Sequence, residues 1–445
     1  YAIPLSGDMK GTTMGDEKDE MEGKLKTECC EARNTHSRVY MFFADGMNIG
    51  GIETLLVRMA NQISRLGYSV IVVAHDGPCL QSLDKSVTVF KTEHGPSSFS
   101  QLRKVPLNDL AEKTKVFIWA ATPYTLVSIY KYQRHLYHRN NIESVSVSGI
   151  FGPMRAIWGL RHLYAKIEHL LVLGWLPNDS VYFMSEAVQK TYVEQFGDHF
   201  ANWPIHKLTL DQSGWNWQPH ERDVLKVVSI GRITKFKPYN FGALDVVQSM
   251  IEQGIPVSWD IWGHGEEAEL LHEAIRKRRL SEYVTFHGEL PYSQFNKIAL
   301  EADLFVGMGT AALEAAQMGI PTVVAITWSK LGTYGFLHQC PADSIGEYCI
   351  DTEEANLIDV ISSYSKYSKD ERVEIGFQCR DAVSRKMSGD PPPFDAIFED
   401  GIKYPGRFIV SLRMMTFGIA QNTWNMIKVL VNLGKAIGRS VRRNG

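Results

Sequence analysis

The stretch Ala302–Ala325, ADLFVGMGTAALEAAQMGIPTVVA, decides the fold of this chain. Leu304-Phe305-Val306 is an apolar run of buried-strand type, and Gly307, Gly309 and Thr310 make a glycine-rich turn. Ala311 to Met318 reads as a helix, and Gly319-Ile320-Pro321 stops it before a second apolar strand, Thr322-Val323-Val324. A glycine turn that opens a helix leaves backbone N–H groups pointing outward at the positive end of the helix dipole, which is a site for phosphate. Glu314 lies one turn into that helix, where a carboxylate can accept the two hydroxyls of a ribose while the amides hold phosphates. The alternative is that Glu314 only complements the helix dipole.

The same alternation extends outward in both directions. After the charged segment 1–37, predicted to be disordered, Val39 to Phe43 is a continuous apolar strand. Gly50-Gly51-Ile52-Glu53 then opens a helix whose apolar face carries Leu55, Leu56, Met59, Ile63 and Leu66, and Val70 to Ala74 is the next strand. Gly50 and Gly51 allow a ligand close to the backbone, or serve only as a tight turn for packing. Further strands are read at Val87–Phe90, Lys115–Trp119, Val145–Val147 and Tyr182–Met184. Phe200 to His220, rich in Trp, Pro, Asn and Gln, reads as an irregular link, after which strands recur at Lys226–Ile230, Ser258–Trp262 and Val284–Phe286. The expected architecture is α/β: two tandem doubly wound parallel-sheet domains, 38–222 and 223–385, facing a central cleft at their strand C-termini.

Composition narrows the class. The 445 residues are 44% hydrophobic and 22% charged, enough for real cores, and a net charge of −3 gives no general attraction to nucleic acid. The six cysteines lack metal-ligand spacing and suit a reducing cytoplasm. There is no apolar run of about 18 residues, so no spanning helix is expected. Residues 386–445 differ from the rest: after Asp400 there is no acid, while Lys403, Arg407, Arg413, Lys428, Lys435, Arg439, Arg442 and Arg443 alternate with apolar side chains such as Phe417 and Trp424. This predicts a basic amphipathic helical tail that lies on an anionic membrane surface, or one that packs on the protein itself.

Taken in order, Ser229-Ile230-Gly231-Arg232-Ile233-Thr234-Lys235-Phe236-Lys237, Ile261-Trp262-Gly263-His264-Gly265, Phe286-His287-Gly288-Glu289-Leu290-Pro291 and Ala302–Ala325 resemble the motifs of a GT-B fold glycosyltransferase similar to family 4. Gly50-Gly51-Ile52-Glu53 and Ser185-Glu186-Ala187 are similar to that family's motifs in the first domain. The resemblance implies two Rossmann-like domains around a nucleotide-sugar cleft; the basic tail, by its charge and spacing, implies a cytoplasmic protein peripheral on the inner face of the membrane. The resemblance implies that Arg232 and Lys237 act on the diphosphate as catalytic cations, with no metal and no other cofactor. It further implies donor binding by Gly231, His287, Leu290, Gly309, Thr310, Ala311 and Glu314, and an acceptor or phosphate loop at Gly50, Gly51 and Glu53. The partners implied are a nucleotide sugar and a glycan or lipid-linked acceptor, with retention at the transferred sugar. The chain departs from the family at Val306, where the family carries a second acid, and lacks its first-domain histidines. A catalytically inactive nucleotide-sugar or glycan-binding partner protein and a sugar-nucleotide 2-epimerase are the competing readings.

Overall fold

The computed structural model describes residues 38–48, 50–93, 99–105, 114–151, 180–207, 216–341, 344–349, 352–386 and 401–405, with single positions between and beyond these runs. The segment 1–37 lies outside the described residues.

The first sheet is built from β1 (Arg38–Ala44), β2 (Ser69–Ala74), β3 (Thr88–Lys91), β4 (Lys115–Ala120), β5 (Glu143–Ile150) and β6 (Val181–Phe183). Its order β5-β4-β1-β2-β3 is parallel throughout, with Val39 opposite Ser69 on one side and Val116 on the other. Parallel pairing demands crossovers, which α1 (Gly51–Arg65) and α2 (Leu126–Asn140) provide. Because helices cover both faces, the central strands run apolar from their second residue onward rather than at alternate positions; Met41, Phe43, Ile118 and Trp119 are fully buried. A third helix, α3 (Glu186–Phe196), starts at Ser185, whose Oγ accepts the Val188 N–H at 3.3 Å.

The second sheet repeats the plan with β7 (Leu225–Ile230), β8 (Val257–Trp262), β9 (Val284–Gly288), β10 (Leu304–Gly307) and β11 (Thr322–Ala325), parallel in the order β11-β10-β7-β8-β9. The helices α4 (Tyr239–Glu252), α5 (Ala268–Lys277) and α6 (Thr310–Gln317) make its crossovers. The stretch that opened the reading is thus β10, a turn, α6 and β11. Trp217, within the expected link, already belongs to this half: its N–H donates to Met318 O at 2.8 Å and its Nε1 to Ala302 O at 2.7 Å.

Two features depart from the expected all-parallel sheets. On the second, β12 (Gly332–Phe336) runs antiparallel to β11 and β13 (Ala355–Asn356) antiparallel to β12, and α7 (Leu357–Tyr364) and α8 (Lys369–Lys386) follow. On the first, β14 (Ile402–Tyr404) pairs antiparallel with β5, placing Ile402 opposite Ser146. Within the expected helical tail, Ile397 and Phe398 are helical and Ile402–Tyr404 is a strand. Along it Ile402 is buried, Lys403 exposed and Tyr404 intermediate. Gln133 of α2 donates to Ile402 O at 3.0 Å and accepts from Ser146 Oγ at 3.0 Å, while Phe398 is buried edge-on to Phe117 and Tyr40. Met414, Thr416 and Ile419 are helical, and the rest of the expected tail lies outside the described residues.

Candidate active site

The chemistry-bearing residues gather where the carboxyl ends of β1, β7, β8, β9 and β10 meet. The loop after β7 is laced to its neighbours through backbone bonds: Gly231 N–H to Trp262 O at 3.0 Å, Ile233 N–H to His264 O at 2.9 Å, and Gly263 N–H to Gly288 O at 2.6 Å. Gly263 is required there. It has φ +153°, and a β-carbon on it would stand 1.8 Å from Gly231 O. This lacing fixes the backbone that carries Arg232 and Lys237.

Lys237 Nζ lies 3.6 Å from where a β-carbon on Gly231 would be, and Tyr239 Oη lies at the same distance. Burial, and secondarily the Arg232 guanidinium, lower the Lys237 pKa to about 8. Two cations thus stand close together here, an arrangement that can receive an anion. The depressed pKa has a signed consequence for the free protein. Between about pH 8 and the ordinary lysine value, the unfolded chain binds a proton that the folded one does not, so stability rises with pH in that window. Lys237→Met is accordingly expected to raise the melting temperature below pH 8, with the gain shrinking towards pH 10.5. A constant gain across that range would contradict the burial of the ammonium.

The glycine loop of the first domain approaches this cluster. A β-carbon on Gly50 would stand 3.4 Å from Arg232 Cζ and 2.3 Å from Glu53 Oε2, so the glutamate folds back over this glycine and would have to move aside for a side chain there. A β-carbon on Gly51 would stand 3.4 Å from Thr310 Oγ1, at the start of α6. Burial raises the Glu53 pKa, opposed by its own backbone hydrogen bond, Arg232 and His264. Its Oε2 is buried with no hydrogen-bond partner among the described residues. Burial, then the Glu53 charge, pushes the nearby Cys79 thiol up to about 12, which makes it an inert packing group.

The turn between β10 and α6 is the expected glycine turn, with one correction. Gly309 has φ +71°, but its N–H donates to Ile345 O at 2.7 Å, so this amide is used within the protein. The Ile345 loop is in turn held by Glu347, whose carboxylate accepts the Ile345 N–H at 2.7 Å, and by Thr327 N–H to Gly346 O at 2.8 Å. Thr310 and Ala311, in the first turn of α6, have N–H groups for which the helix supplies no acceptor. Val306, in the place of the family acid, is fully buried in β10.

Three further positions have distinct surroundings. His287 stacks on Trp262 with centroids 4.2 Å apart and contacts Asp260 Oδ1 at 2.9 Å through Nε2, a structural arrangement at the sheet end. The Leu290 side chain is buried in the core of the second domain, which leaves only its backbone for a ligand. Glu314 is paired across the domains: its Oε1 meets Arg58 Nη1 of α1, and Tyr292 Oη lies 3.4 Å from the same oxygen. Arg58 escaped the sequence reading, although a charged residue one turn after Leu55, on the flank of an apolar helix face, was a visible signal. His264 and Tyr292 carried none beyond their neighbourhood to glycine and proline. Among the described residues, no group of three or more His, Cys, Asp or Glu side chains is placed to hold a metal ion, and no helix is long and apolar enough to cross a membrane.

Residues 217–327 match the family model for glycosyl transferases group 1. A candidate colanic acid biosynthesis glycosyltransferase of Escherichia coli (strain K12) is 22% identical over 198 residues, covering 41% of this chain and 47% of that protein. The chain thus spans about half the length of this curated relative. Among solved structures, Staphylococcus aureus TarM in complex with fondaparinux, α-GlcNAc-glycerol and UDP aligns with a TM-score of 0.52 at 10% identity, over 82% of this chain and 98% of that one. Sucrose-phosphate synthase from Thermosynechococcus elongatus aligns with a TM-score of 0.52 at 12% identity, over 81% of this chain and 96% of that one. These are likenesses of fold. The chain has the GT-B fold, and its second half carries a glycosyltransferase group 1 domain.

Proposed function

We propose that this chain is a glycosyltransferase that moves a sugar from a nucleoside-diphosphate donor to a glycan or lipid-linked acceptor. The observation that carries the reading is the meeting of Arg232 and Lys237 with the Gly50–Gly51 loop and the start of α6. In this reading the two cations hold the diphosphate. As the bond from the anomeric carbon to the diphosphate oxygen breaks, they stabilise the charge that grows on that oxygen. The acceptor hydroxyl attacks from the same face and gives its proton to the departing oxygen, which yields retention without a protein nucleophile. Arg232 and Lys237 neutralise the diphosphate, and no metal is assigned to the reaction. The Thr310 and Ala311 amides contact the phosphate or sugar, Glu314 accepts the ribose hydroxyls, and the backbone of 287–290 frames the base. The colanic acid role named for the Escherichia coli relative supports a polysaccharide or glycolipid acceptor.

A thermal-shift screen against nucleoside diphosphates and their sugars tests this. A ligand at one hundred times its Kd stabilises the folded state by about 2.7 kcal/mol, so the correct base stands out; no response to any of them sinks the reading. Within it, Glu314→Gln is expected to weaken donor binding by about 1.5–3 kcal/mol, read by calorimetry, and unchanged affinity removes Glu314 from the ribose site.

The burial of an apolar Val306 where the family has an acid favours a second reading, a catalytically inactive module that binds the same ligand. Release of free nucleoside diphosphate in the presence of acceptor separates the two, and an epimerised donor would identify an isomerase instead. The basic residues from Lys403 to Arg443 support peripheral attachment to the cytoplasmic face of an anionic membrane. Co-sedimentation with anionic vesicles that fades at high salt is expected, whereas binding indifferent to lipid charge would oppose it.

A further inference from the structure

Resting on the proposed nucleotide site, we infer that Arg58, from the first domain, is the positioning residue for the ribose-binding carboxylate Glu314 of the second. The two side chains meet across 256 positions of sequence, and both are largely buried, at 6% and 12% exposure. Arg58 Nη1 bonds Glu314 Oε1 and also donates to Tyr292 Oη at 3.1 Å, so one guanidinium nitrogen ties α1 to two elements of the second domain. A buried carboxylate without a cation loses its charge or turns away, and a carboxylate that accepts hydroxyls must be ionised and fixed. The guanidinium does both through its bond to Oε1. Glu314 sits on α6, whose first turn stands 3.4 Å from the space above Gly51, so the same α1 that supplies Arg58 also supplies the loop against that turn. Donor affinity is thereby tied to the placement of the two domains, since the ribose carboxylate is completed only when α1 is in contact.

The test is a double-mutant cycle on the full chain, with calorimetry of UDP, GDP and ADP, continued with whichever binds the wild type. Arg58→Gln is expected to weaken binding about ten- to a hundredfold, the loss of one hydrogen-bonded charge partner. In a Glu314→Gln background the same change is expected to cost less than threefold, because its effect runs through the carboxylate. The 2′,3′-dideoxy form of the same nucleotide is expected to bind wild type and Arg58→Gln alike. Arg58→Lys, which keeps the charge, serves if Arg58→Gln fails to fold, and should show the same dependence on Glu314 with a smaller loss. Equal losses in both backgrounds, or an equal loss for the dideoxy nucleotide, overturn the inference and make Arg58 a packing residue. Binding that survives Glu314→Gln unchanged overturns the ribose role of Glu314, and absence of binding to wild type overturns the nucleotide site itself.

Discussion

Arg232→Ala and Lys237→Ala are each expected, on the proposed reading, to lower turnover by roughly two to three powers of ten, the scale of losing one donor aimed at a developing oxyanion. The reason is placement. Both side chains stand on a loop whose backbone is bonded to the two neighbouring loops, so neither cation has to reorganise when charge appears on the leaving oxygen. Lys237 is held there against the cost of burial, which makes its removal a separation of function from stability: the variant is expected to be slower and, below pH 8, no less stable. Initial rates at saturating donor, set beside melting curves, read both quantities. Near wild-type turnover in both variants would remove the diphosphate role from this loop.

Phe398→Ala is expected to destabilise the protein by about 3–5 kcal/mol, the usual cost of emptying a buried phenylalanine site. Phe398 is 2% exposed and meets Phe117 at 5.3 Å and Tyr40 at 6.1 Å, centroid to centroid, on strands at the middle of the first sheet. A shift of the denaturant midpoint seen in first-domain probes checks this, with Trp119 fluorescence the natural reporter. A midpoint within experimental scatter of wild type would return this segment to the status of a detachable tail.

The parallel sheets were legible because buried parallel strands are apolar at every residue, and runs such as Val39–Phe43 and Thr322–Val324 have no other economical reading. The glycine turns were legible for the same local reason, and Gly263 lies where a side chain would collide with backbone. What stayed hidden was non-local. Strands β13 and β14 are two and three residues long, too short for a period to declare itself, and exist only because distant partners accept them. The basic residues around β14 drew the eye to a helix face, while Ile402 and Tyr404 were answering to Ser146 and Ser144. Likewise the Gly309 amide looked available until Ile345 was brought to it, and the partner of Glu314 lay on another domain.

The pairing of β14 with β5 carries a consequence for how the protein is made. Gln133 and Ile402 touch, yet 269 positions separate them. At ribosomal speeds of about 5–20 residues per second, roughly fifteen seconds to a minute passes between their synthesis. Throughout that interval the emerging first sheet has the Ser144–Ser146 stretch of its β5 rim without the strand that finally covers it, a template for misassociation with other nascent chains. The second half is thus enclosed within the first along the gene, and a cut near residue 222 does not yield two self-sufficient proteins: the upstream piece lacks its last strand, which the downstream piece carries.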